Sequence, residues 1–262
     1  MGIESPTMNP DNTPPKLVRW QRTALAGDRV KESEFYEPPD EKSPYGYFAG
    51  RPIIGSGSER IIGGVYPGAH AREAIVVDDR TESGGDKQLA KIYKKEFLPE
   101  LLKTARKGKV EPRGIAIHFI FDFVQRMMPY DGDRTKKIIS DLTKGMPDQK
   151  IHLYLFIENK AGVCRHQALF AGYLLEKLKN ETDPKVTLRG KTSIERNSVI
   201  DENSSGAHAW TRYTTKSGDV WIIDPAQKRV GRLQNLMKDN TSWEYARPED
   251  IEKYKNSSAL SK

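Results

Sequence analysis

The stretch KAGVCRHQALFAGYLLEKL, residues 160–178, decides how the chain reads, because it holds the single cysteine, Cys164, at the start of a helical pattern. Cys164, Ala168, Ala171, Leu175 and Leu178 recur at steps of four, three, four and three, which is one face of an α-helix, so the sulfur points inward. Gly162 closes the preceding segment and leaves Cys164 in the first turn, where unpaired N–H groups and the helix dipole favour negative charge and lower a thiol pKa. Ala168, Ala171 and Gly172 lack bulk, so a strand carrying a base fits closely behind the sulfur. Taken alone, a lone free cysteine is more often a small buried hydrophobe. A second stretch changes that reading.

SGAHAWTRYTTKSGDVWIIDPAQ, residues 205–227, has the alternation of a β-hairpin closed by Pro225. A turn centred on Lys216 pairs Tyr213 with Asp219, Arg212 with Val220, Trp210 with Ile222 and His208 with Asp224. Directly opposed side chains have Cβ atoms about 4.5–5.5 Å apart, near enough for a carboxylate to hold an imidazole N–H. A register slip of two residues keeps His208 and Asp224 on one face, and a slip of one separates them. A cysteine at a helix start, a histidine on a strand and an aspartate on the next strand form a nucleophile, base and orienter set.

In this order, GVCRHQA, GAHAWTRY and WIIDPA resemble the transglutaminase-like superfamily of papain-like cysteine enzymes, and IFDFVQRMMPYDGD (120–133) is similar to that family's helix ending in an apolar-Pro-Tyr turn. The likeness spans residues 114–226, and the continuation Cys164-Arg165-His166 resembles a subgroup in which Arg and His follow the nucleophile. The resemblance implies an α+β fold, papain/transglutaminase-like, in which N-terminal helices precede a nucleophile helix packed on an antiparallel sheet. It implies a triad of Cys164, His208 and Asp224 that forms a thioester with a peptide or glutamine amide of a protein or peptide substrate. No cofactor and no metal are expected. Arg165, Trp210 and Arg212 are the expected substrate contacts, the arginines selecting acidic substrates. The Cys164 N–H is one oxyanion donor by geometry. The family usually adds an upstream donor, for which Gln149 and Asn159 are candidates. The short catalytic part, and the lack of a calcium loop like those of animal cross-linking enzymes, favour a peptidase or deamidase over a protein cross-linking transglutaminase.

Two rival classes remain: a transglutaminase-like binding module without turnover, and a basic protein that binds nucleic acid. The complete triad argues against the first. Lys and Arg number 43 against 36 Asp and Glu, a formal charge of +7, but this charge is scattered. Its densest cluster, Lys87 to Lys109, falls on a solvated helix face without an aromatic platform, so a nucleic-acid partner is not expected. Zinc needs three or four convergent ligands, and Cys164-x-His166 is short of partners. His166 also sits two residues from Cys164, so on a helix it cannot be the base for that sulfur. One cysteine leaves no intrachain disulfide, and there is no run of membrane-spanning length and no secretory leader, so the expected location is cytoplasmic, with signal-free export left open. The oligomeric state is not legible.

The expected organisation is a Pro-rich arm (1–72), a catalytic domain (73–240) and a C-terminal helix and tail (241–262). Nine of the sixteen prolines lie in the first 70 residues, where 17–27 reads as a short helix ended by Gly27. Residues 74–79 read as a strand, 87–97 as a helix, and Pro99 starts another that ends at Gly108. Residues 113–128 read as a buried helix with His118 in the core, and 134–143 as a helix ended by Gly145. Residues 151–157 are taken as a helix by resemblance, 185–190 as a strand, the polar run up to Ser205 as a loop, 247–254 as a capped helix start, and the last eight residues as disordered.

Overall fold

The structure is a computed structural model that describes residues 17–21, 31–55, 57–68, 73–79, 87–107, 111–144, 149–200, 205–238 and 244–259. Its first half holds β1 (Leu17–Gln21), β2 (Tyr36–Glu37), β3 (Tyr47–Phe48), β4 (Arg51–Pro52), β5 (Gly64–Pro67), β6 (Ala74–Val77), α1 (Gln88–Ile92), a π-helical turn (Tyr93–Phe97), α2 (Leu98–Lys107), α3 (Pro112–Met127) and α4 (Gly132–Leu142). There follow β7 (Lys150–His152), α5 (Leu153–Glu158), α6 (Cys164–Leu178), β8 (Lys191–Ile200), β9 (Ser205–Thr214), β10 (Val220–Asp224), β11 (Arg229–Arg232), α7 (Leu233–Leu236) and α8 (Pro248–Ala259). The fold is α+β. Its main sheet is antiparallel in the order β1-β8-β9-β10-β11, beside two three-stranded sheets, β2-β3-β4 and β5-β6-β7.

Helix α6 is the centre of the molecule: His166 through Leu175 are all buried. Its small residues face the sheet. Thr211 Oγ1 donates to Ala168 O at 2.7 Å, and a Cβ on Gly172 would stand 3.0 Å from Ile194 and 3.1 Å from Ile61. Its large residues, Phe170, Tyr173 and Leu174, pack with the side chains of α3 and α5 in the main core. Each fully buried side chain of this size contributes roughly 1.5–3 kcal/mol.

Alternation along the strands gives the sheet two buried faces. Ile194, Ala209, Tyr213, Trp221 and Ile223 join the α6 core, while Trp210, Val220 and Ile222 join a second core closed by Leu233, Leu236, Tyr245 and Ala246. The β9–β10 hairpin closes through Lys216, Ser217 and Gly218: Thr215 N–H donates to Asp219 O (2.8 Å), and Gly218 N–H to Thr215 O (3.0 Å). Gly218 takes the left-handed position of this three-residue loop, with φ 84°. The turn therefore centres on Ser217, not Lys216, and the register shifts by two residues: Val220 faces Thr214 and Ile222 faces Arg212.

Several expectations are corrected. Leu17–Gln21 is an edge strand of the main sheet, not a helix. β5 pairs with β6 across the expected boundary at residue 72, so the described part of the arm is built into the fold. Residues 151–157 divide into the end of β7 and α5, because β7 is claimed by parallel pairing with β6. Residues 185–190 form no strand; the strand is Lys191–Ile200, in the run expected to be a loop. Its polar residues Ser193, Glu195 and Asn197 are buried beneath the C-terminal segment, where Arg247 pairs with Glu195. His118 is exposed, edge-on to Trp221, and α8 continues to Ala259. Asp131 caps α4 by accepting from Arg134 N–H at 2.9 Å. Gly27, Gly108, Gly145, the loop at 82–86 and His70 lie outside the described residues. Among the described residues no helix is long and apolar enough to cross a membrane.

Candidate active site

Val163 is the extended N-cap of α6, and Cys164 is its first residue, partly buried. In that position the Cys164 N–H has no intrahelical acceptor and sits at the positive end of the helix dipole. Gly162 leaves room just before it: a Cβ there would crowd the Met128 side chain, 2.4 Å from its Sδ. The bridge between Gly162 and Tyr130, with Asp131 N–H donating to Gly162 O at 3.0 Å, ties this turn to the segment between α3 and α4.

The sulfur lies against β9 where His208 meets Ala209, and the His208 ring and the Ala209 main-chain N–H are the groups there that stabilise its negative form. His208 Nε2 is 2.6 Å from Asp224 Oδ2, which leaves Nδ1 to face the sulfur. The observed register sets Asp224 level with Trp210, so the carboxylate reaches His208 from the diagonal position, not from directly across. The structure thus brings Cys164 beside His208 and His208 into a hydrogen bond with Asp224, and the two-residue slip keeps His208 and Asp224 on one face.

Asp224 is fully buried and accepts three hydrogen bonds: His208, Tyr245 Oη at 2.9 Å, and Gln227 N–H at 3.1 Å. Burial disfavours the His208 imidazolium, but the Asp224 charge and hydrogen bond, with the sulfur opposite, outweigh it and raise the pKa to about 10. Burial pushes the Cys164 thiol up; the His208 hydrogen bond and charge, the Arg165 guanidinium and the Ala209 N–H together hold it below its ordinary value. Both shifts favour the thiolate–imidazolium form of the pair.

The three expected substrate contacts are engaged elsewhere. Trp210 has no exposed surface; its ring lies over that of His208 at 5.9 Å and meets Tyr245 edge-on at 5.2 Å, so it walls the imidazole. Arg212 donates from Nη1 and Nη2 to Asp250, each at 2.8 Å, on the sheet face covered by α8. Arg165 donates from Nε to Glu73 Oε2 at 2.7 Å, its charge held by a buried carboxylate and not offered to a ligand. Asn159 is exposed and bonds Leu155 O, so it is no oxyanion donor. Glu73 and Tyr245 were not legible as parts of this site. No motif marks either, and both arrive through tertiary packing from outside the residues that carry the family resemblance.

Among the described residues no group of three or more His, Cys, Asp or Glu side chains is arranged to hold a metal ion. Comparison of the chain with protein-family models, with curated proteins and with solved structures finds no match.

Proposed function

We propose that the chain is a cysteine-nucleophile acyl-transfer enzyme with a papain/transglutaminase-like catalytic unit, acting on peptide bonds or glutamine amides of a protein or peptide substrate. One observation carries this reading: Cys164, in the first turn of α6, lies beside the His208 ring, whose Nε2 is bonded to buried Asp224. The thiolate adds to the carbonyl carbon, and the carbonyl π pair moves to oxygen, which the Cys164 N–H meets. The C–N bond then breaks as the leaving nitrogen takes the proton from His208 Nδ1, and a thioester remains. Water gives a proton to Nδ1 and its hydroxyl to the carbonyl carbon, the S–C bond breaks, and the acid leaves. Throughout, Asp224 holds the ring in the tautomer that presents Nδ1 to the sulfur. A lysine amine in place of water would give a cross-link; the short catalytic part favours hydrolysis, hence a peptidase or deamidase.

The test is acylation by 4-nitrophenyl acetate, with the acetyl adduct located by mass spectrometry. Wild type should release a burst of nitrophenolate and carry the adduct on Cys164, and Cys164→Ala should lose about 10³-fold or more of the rate. Acylation should rise with pH as the thiol ionises, at a midpoint below the ordinary thiol value. With an amide substrate the rate should fall again near pH 10, as His208 loses the proton the leaving amine needs. Equal rates in wild type and Cys164→Ala would sink the reading. Glutamine peptides assayed with and without a primary amine then separate hydrolysis from transfer.

A further inference from the structure

A second buried histidine–carboxylate pair sits behind the nucleophile, and the mechanism above does not use it. His166, with no exposed side-chain surface, bonds through Nε2 to Glu73 Oε1, and Glu73 is itself 3% exposed. The other ring nitrogen, Nδ1, accepts the Val163 N–H at 3.2 Å. A nitrogen that accepts carries no proton, so this ring is neutral with its hydrogen on Nε2, directed at Glu73. His166 therefore differs from His208, which shares its type of partner but is charged. The difference has a local cause: the Arg165 guanidinium already neutralises Glu73, so the carboxylate does not need an imidazolium.

This arrangement is the return half of a capping box, with histidine in place of the usual Glu or Gln at the third helical position; Val163 has no side-chain acceptor for the other half. The Val163 N–H lies in the Gly162–Val163 peptide plane, one residue's φ and ψ (−112° and −179°) before the plane that carries the Cys164 N–H. His166 therefore holds the entry side of Val163, while the Val163 carbonyl on the other side accepts the His166 main-chain N–H at 2.9 Å. The wall behind is closed too: a Cβ on Gly162 would stand 3.1 Å from His166 Cβ. Glu73 precedes β6, a different element from α6, so the pair anchors the helix start to a second sheet.

We propose that His166, oriented by Glu73, is a positioning residue for the oxyanion site: by holding the Val163 N–H it sets the direction of the Cys164 N–H that meets the developing negative oxygen. Neither residue touches the substrate. The inference rests on the acyl-transfer reading and predicts that stabilisation of the oxyanion and reactivity of the sulfur come apart.

The experiment compares wild type, His166→Leu, His166→Gln and Glu73→Gln in two assays on the full chain. Alkylation by iodoacetamide needs the thiolate but no oxyanion donor, whereas acylation by 4-nitrophenyl acetate needs both. His166→Leu should keep the alkylation rate within about threefold and its pH midpoint, yet acylate at least about 30-fold more slowly, as for a displaced oxyanion donor. His166→Gln should recover to within about fivefold of wild type, because Gln at this position accepts the same N–H. Should His166→Leu fail to fold, Glu73→Gln preserves the ring and removes the anion that fixes its tautomer, and should lower acylation about fivefold with alkylation unchanged. Equal losses in both assays, undiminished acylation, or no recovery with glutamine would overturn the inference. A wild type that alkylates rapidly but is never acylated would overturn the acyl-transfer reading itself, and this inference with it.

Discussion

Replacing Asp224 with alanine should lower the acylation rate on the order of 10³–10⁴-fold, the scale seen when a catalytic histidine loses its orienting carboxylate. Three donors converge on this side chain, so the substitution strands them all: His208 Nε2, the Tyr245 hydroxyl and the Gln227 N–H. The largest consequence is electrostatic. Burial alone would keep His208 neutral; ahead of the Asp224 hydrogen bond and the sulfur, the Asp224 charge is the largest of the contributions that reverse this. Without it the imidazolium loses its counterion, Cys164 loses its positive partner, and the acylation midpoint should climb toward that of an ordinary buried thiol. Asparagine should be damaging too, because an amide cannot accept on both oxygen positions at once, and Asp224 accepts on both. The measurement is the acylation rate against pH for wild type, Asp224→Ala and Asp224→Asn. A rate within tenfold of wild type in Asp224→Ala would show that His208 is held by something else.

The second large effect is on stability. Asp250→Ala should cost about 3–5 kcal/mol, because it leaves the Arg212 guanidinium buried without its partner. Only 4% of the Arg212 side chain and 8% of that of Asp250 are exposed, and both guanidinium Nη atoms donate at 2.8 Å. Asp250 also accepts the Arg247 N–H at 2.8 Å, so the first turn of α8 loosens with it. The same segment delivers Tyr245 to Asp224 and Arg247 to Glu195, so destabilisation here should reach the catalytic carboxylate. The pH dependence has a defined sign. Although burial pushes the Asp250 carboxyl up, Arg212 and the Arg247 N–H hold it below its ordinary 3.8, so the pair's contribution is present above that pH and lost as acid protonates the folded state. Urea unfolding at pH 7 and pH 3 checks both points: wild type should lose stability between them, and Asp250→Ala should lose less. A cost below about 1 kcal/mol at pH 7 would mean that Arg212 finds solvent or another anion.

The nucleophile helix was legible because its periodicity is strict and its facing residues are small. The hairpin was legible because alternation and turn residues agree. Its register was not, since TTKSG allows two centres and only the left-handed Gly218 chooses between them. β8 was missed for a different reason. Ser193, Glu195 and Asn197 look like loop residues, and nothing local reveals that Arg247, more than 50 positions away, will bury Glu195 in an ion pair. The arginines misled in the same way: Arg165 and Arg212 carry charge beside the triad in sequence, but each is matched by a carboxylate, Glu73 or Asp250, from a distant part of the chain. Local pattern marked Cys164, His208 and Asp224, which the structure brings together, whereas the groups that hold them come from tertiary contacts that no spacing encodes.

The most direct test of the account is the rate of Cys164 alkylation by iodoacetamide against pH, in wild type and in His208→Ala. The account predicts a wild-type rate already near its plateau at pH 7, well below the free thiol pKa of about 8.5, and a mutant whose rate rises only above that value. Slow alkylation at pH 7 that is the same in both proteins would contradict it, and would leave Cys164 a packing residue of the core.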